Sequence, residues 1–365
     1  MKHKAFSLRV VLLTLLASIV CLMCMTQMPS AFAATSVEQY YTFTALSNGY
    51  KVRLTSGFKT ALNKATPTAY GDWKPGSPLP AIPATYKGKP VTSLSGVFQN
   101  CTEIRNLDLT AWDVSNVTDA SYMFQKCTNL QSVNMAGWNS SNVSSLLCTF
   151  DQCTNLVSVD MSGWNTDILT TLYYTFNGCR NLTTVKNYST WNVSRVSNMT
   201  FVFNECRKLD TSGISNWNPT SCTNFRATFR QNYALNSVDL SNWSVPSNAS
   251  FWDMFGECNN LTSIDMHTWS GQDFRANAET TYMFNMAGSA KKALKIRVGD
   301  ASMVEFCKNP DNTPKHNSPM LGSYANVYVD AGSPQFYTFA PIDSGNSYRL
   351  KLTSYFKEAL QKSRA

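Results

Sequence analysis

Two aromatic residues recur in step along this chain, and their period dictates its architecture. Phenylalanine stands at Phe98, Phe124, Phe150, Phe176, Phe203, Phe229, Phe255 and Phe284, and tryptophan at Trp112, Trp138, Trp164, Trp191, Trp217, Trp243 and Trp269. Every step is 26 residues, apart from a 27 in both rows around Trp191 and a 29 at the last phenylalanine. A unit this short cannot bury a core of its own, so successive units must cover one another. The expected fold is a repeat solenoid of about seven 26-residue coils.

Within each unit an apolar residue follows the phenylalanine by six: Ile104, Leu130, Leu156, Leu182, Leu209, Leu235 and Leu261. Alternating pairs such as Leu107/Leu109, Val133/Met135, Val159/Met161, Val238/Leu240 and Ile264/Met266 come next and predict short half-buried strands. Val185/Asn187 and Ser212/Ile214 break that alternation, so the fourth and fifth coils are the least regular. After each tryptophan comes a polar turn and then an apolar return residue, as in Asp113-Val114-Ser115-Asn116 before Val117. The stretch Asp119–Phe124 reads as one helical turn or a short irregular coil.

The string Met-Phe-x-x-Cys-x-x-Leu is cleanest at Met123–Leu130 and Met254–Leu261, followed by (Leu/Val)-(Asp/Asn)-(Leu/Met)-x-x-Trp. It resembles the BspA-like leucine-rich-repeat surface proteins of bacteria, and the match covers about 98–284. The resemblance implies a leucine-rich-repeat-like array with short parallel strands, in a secreted or wall-associated protein that binds host proteins or partner cells. The family is named for its repeat and not for a reaction.

Lys2, Lys4 and Arg9 precede an apolar run from Val10 to about Met25, and Ala31-Phe32-Ala33 supplies a small-x-small cleavage pattern. Residues 1–33 therefore read as a signal peptide, with no membrane insertion after cleavage. Val20 and Met23 before the two leader cysteines speak against a lipoprotein. Residues 34–90 form a flanking, capping segment that includes the Pro-rich connector Lys74–Pro83; 91–290 is the array, and 291–331 supplies terminal strands that close it. Residues 332–365 hold a second copy of the N-terminal motif: Asn48–Leu62 and Asn346–Leu360 agree at nine of fifteen positions. That copy is either a cap at the far end or the start of a further array.

Composition limits the chemistry. Three histidines leave little material for His-based catalysis or metal sites; no Cys-x-x-Cys remains once the leader is removed, and no Gly-x-Ser-x-Gly, phosphate loop or His-Glu-x-x-His is present. The expectation is a protein that is not an enzyme and uses no cofactor or metal. Without the leader the chain carries 28 basic and 23 acidic residues, a mild +5 with no dense basic stripe, which argues against nucleic acid. Cys101, Cys127, Cys153, Cys179, Cys206 and Cys258 form a ladder that Asn232 interrupts. Buried free thiols are the favoured reading, with disulfides between coils, or pairing of Cys148, Cys222 and Cys307, as the alternative. The tryptophan row reads as packing, with stacking on sugars as its alternative.

A ligand strip is expected where strand residues alternate outward: Asp108, Asn134, Asp160, Lys186, Tyr188, Asp239 and Asp265. Its acids favour a basic or hydroxyl-rich partner, a host or bacterial surface protein or a glycan. Facing solvent, Asp108, Asp160, Asp239 and Asp265 are expected to be replaceable by lysine without loss of fold. The alternative is a structural spacer of the cell surface, because 98–284 carries −5 and the mature flanks +10, a charge suited to anionic cell wall.

Overall fold

A computed structural model describes residues 37–72, 74–209, 212–269, 283–285, 287–288, 294–301, 303–304, 325–329, 337–341 and 348–352. The leader, Cys307 and the tail beyond Leu352 lie outside the described residues.

The N-terminal flank is a hairpin and a short helix. Strands β1 (Tyr41–Leu46) and β2 (Gly49–Leu54) pair antiparallel with Tyr41 opposite Leu54, and α1 (Ser56–Leu62) follows at once. Thr55 caps α1 by accepting the Phe58 N–H on its hydroxyl at 3.3 Å. Phe58, Ala61 and Leu62 are buried, and the Phe58 ring packs on Tyr40 and Tyr41. Gly49, at φ 151°, lets β2 approach β4 (Lys89–Ser93), where a Cβ would sit 2.4 Å from the Pro90 carbonyl oxygen. β2 pairs parallel with β4, and β3 (Thr85–Tyr86) closes the sheet's other edge. Arg53 and Lys59 donate to the carbonyls of Gly96 and Gln99, both at 2.7 Å, while Tyr41 meets Trp112 edge-on at 5.9 Å. Two of the flank's positive charges thus hold the first repeat and do not project toward an anionic surface.

The repeats stack through two parallel edges. On one, β5 (Asn106–Asp108), β6 (Ser132–Asn134), β7 (Ser158–Asp160) and β8 (Thr184–Lys186) form one parallel sheet, each in direct register with the next. On the other, single parallel bridges run Ser93, Asp119, Ser145, Thr171, Asn198, Asn224 and Ser250. The segment after each bridge is neither a helical turn nor an irregular coil. It is a run of turns with left-handed residues two before and two after the phenylalanine, for example Tyr122 (φ 58°) and Lys126 (φ 60°).

The sheet breaks at the long step. Asn187 takes left-handed angles, a 3-10 turn covers Tyr188–Thr190, and the fifth repeat replaces its strand with a second 3-10 turn, Ser212–Asn216. Pairing resumes in β9 (Ser237–Asp239) and β10 (Ser263–Met266), which continue parallel into β11 (Leu294–Val298) and β12 (Ala325–Val329). β13 (Tyr337–Pro341) and β14 (Tyr348–Leu352) then make an antiparallel hairpin in the register of the first one, with Tyr337 opposite Leu352.

Between the two edges lies a core of side-chain columns. The eight phenylalanines stack at centroid spacings of 5.0–5.9 Å from Phe98 to Phe284. Six of the tryptophans are buried and Trp164 is half-buried against the core, so the row packs inward and the sugar-stacking alternative for it is overturned. Trp138, Trp164, Trp217 and Trp243 each donate their indole N–H to a carbonyl of the preceding repeat at 2.8–3.0 Å.

Candidate functional site

The cysteine ladder has a specific structural role. All eight described cysteines are free and buried. Cys127, Cys153, Cys179, Cys206 and Cys258 each donate an S–H bond to the carbonyl of the column phenylalanine one repeat earlier, at 2.9–3.2 Å. Burial pushes these thiols up, Cys258 to about 12, so they remain protonated donors and poor nucleophiles. Asn232, at the interrupted rung, is fully buried and neither of its side-chain polar atoms has a hydrogen-bond partner. Among the described residues no group of three potential ligands is placed to hold a metal ion, and no helix is long and apolar enough to cross a membrane.

The outward strip is present but differs from the simple solvated row. In five of the strip's strands, β8 with its Lys186 excepted, the polar side chain accepts the N–H two residues on: Asp108 from Thr110, Asn134 from Ala136, Asp160 from Ser162, Asp239 from Ser241 and Asp265 from His267, at 2.8–3.2 Å. These are Asx turns that end the strand. The expectation that all four aspartates tolerate lysine is therefore corrected, because lysine has no acceptor to replace that bond.

Two of the acids are also paired. Lys186 reaches Asp160 at 2.6 Å across β7 and β8, and that bond, with help from Ser162, holds the carboxyl below its ordinary range. Asp265 is half-buried, which works to raise its pKa, but bonds from His267 and from Arg297 at 2.7 Å bring it below the ordinary value. Tyr188 does not belong to the strip. It lies in the 3-10 turn after β8, packs beside Phe203 and Trp217, and accepts the Gly213 N–H on its hydroxyl. The extra residue Asn187 rotates it out of the strand's alternation.

The structure thus brings Asp108, Asn134, Asp160 and Lys186 onto one sheet, and Asp239, Asp265 and the unanticipated Arg297 onto another. The run Leu294–Val298 carried the signal for Arg297, since it repeats the strand pattern with Arg297 opposite Asp265. At the start of the first sheet the strip is walled. Pro67, Pro75, Pro78 and Leu79 of the flank and connector face Glu103, Arg105, Asp108 and Asn134 across a cleft of about 620 Å3. The connector therefore forms a wall of this cleft, a role its composition alone did not reveal.

Free-thiol and aromatic columns between two parallel edges define a repeat protein built on short parallel strands. Residues 92–188 and 170–296 match the family described as "Mycoplasma protein of unknown function, DUF285", together more than half of the chain. The chain belongs to this family, and its repeat is of the BspA-like leucine-rich type. No curated protein matches it. Among solved structures it is similar to a leucine-rich repeat protein from Bacteroides ovatus, at 13% identity over 72% of this chain and 70% of that one, with a TM-score of 0.28. It is also similar to a leucine rich cell surface protein from Faecalibacterium prausnitzii, at 14% identity over 73% and 95% of the two chains, with a TM-score of 0.19. At such scores these likenesses add nothing to the fold read from the chain's own pairing.

Proposed function

We propose that the chain is an exported surface protein whose seven-coil solenoid binds a protein or glycan of a host or neighbouring cell and performs no catalysis. Its flanks cover the ends of the array, and its address rests on the Lys2–Ala33 leader. The observation that carries the binding reading is the cleft, where Asp108 and Asn134 of the strip meet the proline wall. Its volume is in the range of ordinary ligand sites, about 300–1,000 Å3, and its walls combine apolar and polar groups. Glu103 and Asp108 against the single Arg105 favour a basic or hydroxyl-rich ligand over an anion.

The test is solid-phase binding of the full chain to immobilised extracellular-matrix protein and to purified bacterial cell wall. Asp108→Asn keeps the acceptor of the Asx turn and removes the charge; it is expected to weaken binding with no change in melting temperature. Equal binding by that variant moves the site off the cleft. Retention on cell wall that survives the substitution supports the spacer alternative.

A further inference from the structure

The tryptophan row is buried, yet another aromatic set remains partly in solvent on the bridged edge. Two residues before the column phenylalanines from Phe98 to Phe255 the backbone is left-handed: Gly96, Tyr122, Cys148, Tyr174, Phe201, Ala227 and Asp253. Glycine adopts these angles freely, whereas a bulky side chain there is strained. Tyr122, Tyr174 and Phe201 are only half-buried, so core packing alone does not account for bulky rings at these strained positions. Strain of this kind clusters at ligand clamps.

Backbone bonds from Cys148 to Tyr173, Tyr174 to Thr200, Phe201 to Arg226 and Ala227 to Trp252, all 2.8–2.9 Å, set these positions side by side. Tyr173 and Tyr174 lie 4.4 Å apart by ring centroid, Tyr174 and Phe201 4.7 Å, and the Arg226 guanidinium sits 4.2 Å over the Trp252 ring. In the bridge row beside them, Asn198 and Asn224 cap their turns through Oδ1. Their amide NH2 groups have no partner among the described residues.

We propose that this edge is a second binding surface, separate from the strand strip and its cleft, and that it takes a chain of pyranose sugars. Aromatic faces bind the C–H faces of sugar rings, and flanking amides and a guanidinium serve the hydroxyls. The aromatic positions recur along the stacking direction, which suits an extended polymer and not a single small molecule. The carboxylates of Asp119 and Asp151, close enough to act on Tyr122, set the surface against a polyphosphate chain.

Affinity gel electrophoresis of the full chain through a soluble β-1,4-glucan, and calorimetry with a chito-oligosaccharide, test the proposal, with a polyproline peptide as the competing ligand. The triple variant Tyr122→Gly, Tyr174→Gly, Phe201→Gly removes the rings and suits the left-handed angles, as Gly96 does naturally. It is expected to bind at least tenfold more weakly, with a melting temperature equal to or above the native one. Tyr173→Ser, at a position without left-handed angles, is expected to act in the same direction. Failure of the native chain to bind either sugar, preference for the polyproline peptide, or unchanged affinity in both variants would overturn it. So would a melting temperature that falls with the triple change, because the rings would then be structural.

Discussion

The two stacked edges respond differently to the one-residue insertion at Asn187. The strand edge gives way: β8 and β9 are not paired, and two 3-10 turns stand between them. The bridged edge continues through Thr171, Asn198 and Asn224. The phenylalanine column also continues, with spacings of 5.7 and 5.9 Å on either side of Phe203 against 5.0–5.4 Å in the first repeats. The S–H bond from Cys206 to Phe176 survives as well, at 3.2 Å. The edge beside the phenylalanines and thiols is therefore the spine, and the sheet is formed where the spine's period allows it.

Truncating a spine residue should have the largest effect. Phe150→Ala is expected to destabilise by about 3–5 kcal/mol, because the stacked repeats on either side cannot collapse into the gap. On the strand edge, Val159→Ala removes two buried carbon groups at about 0.8 kcal/mol each and should lose only about 1.6 kcal/mol of burial. Urea melts of both variants decide the matter, and equal losses would remove the distinction between the edges.

High pH attacks the same spine. The fully buried Cys258 thiol is raised from an ordinary value near 9 to about 12. Its stabilising contribution is complete below about pH 9 and is lost as pH rises toward its folded value, since the unfolded chain releases the proton first. Each such thiol contributes a slope of about 1.4 kcal/mol per pH unit. Stability measured by urea at pH 7, 9 and 10.5 should fall a little by pH 9, where the unfolded thiols are half ionised, and steeply in the last interval, while the native thiols resist alkylation. A flat profile, or labelling without denaturant, contradicts the S–H ladder.

The interrupted rung offers a gain. Asn232 leaves a buried amide without partners, and by the spacing of the other rungs a cysteine there would donate to the Phe203 carbonyl. Asn232→Cys restores the S–H donor and removes the unsatisfied group, so it should stabilise by about 1–2 kcal/mol. A loss of stability in calorimetry would show that Asn232 has a role outside the column.

Much of this was legible because a period turns sequence distance into spatial contact. Once the 26-residue step is known, Asp160 and Lys186 must be neighbours, as must the phenylalanines. The Asx turns were written in Asp108-x-Thr110 and Asp160-x-Ser162, but an outward acid reads equally well as a solvated charge. The thiol bonds span 29 or 30 residues and so fall outside the simple register. The left-handed positions were hidden because Tyr122, Cys148 and Phe201 stand where glycine would have announced them. The sheet break was hidden because one inserted residue looks like noise in a period, although it rotates Tyr188 from the outer face to a half-buried place against the core.

The smallest expected effect separates charge from turn geometry on the strip. Asp160→Asn keeps an oxygen to accept the Ser162 N–H, so only the ion pair with Lys186 is lost. The two side chains are 21% and 60% exposed, and solvent screening limits the pair to about 0.2–1 kcal/mol. Because the folded carboxyl lies below its ordinary value, the contribution is present above about pH 4 and vanishes as pH falls through the folded value. The difference in urea midpoint between native chain and variant should therefore be measurable at pH 7 and close at low pH or in 1 M salt. Asp239→Asn is the reference, since Asp239 makes the same turn bond to Ser241 with no cation paired to it among the described residues. If both variants shift the midpoint equally at pH 7, the Lys186 pair contributes nothing, and the acids of the strip stabilise the fold only through their turns.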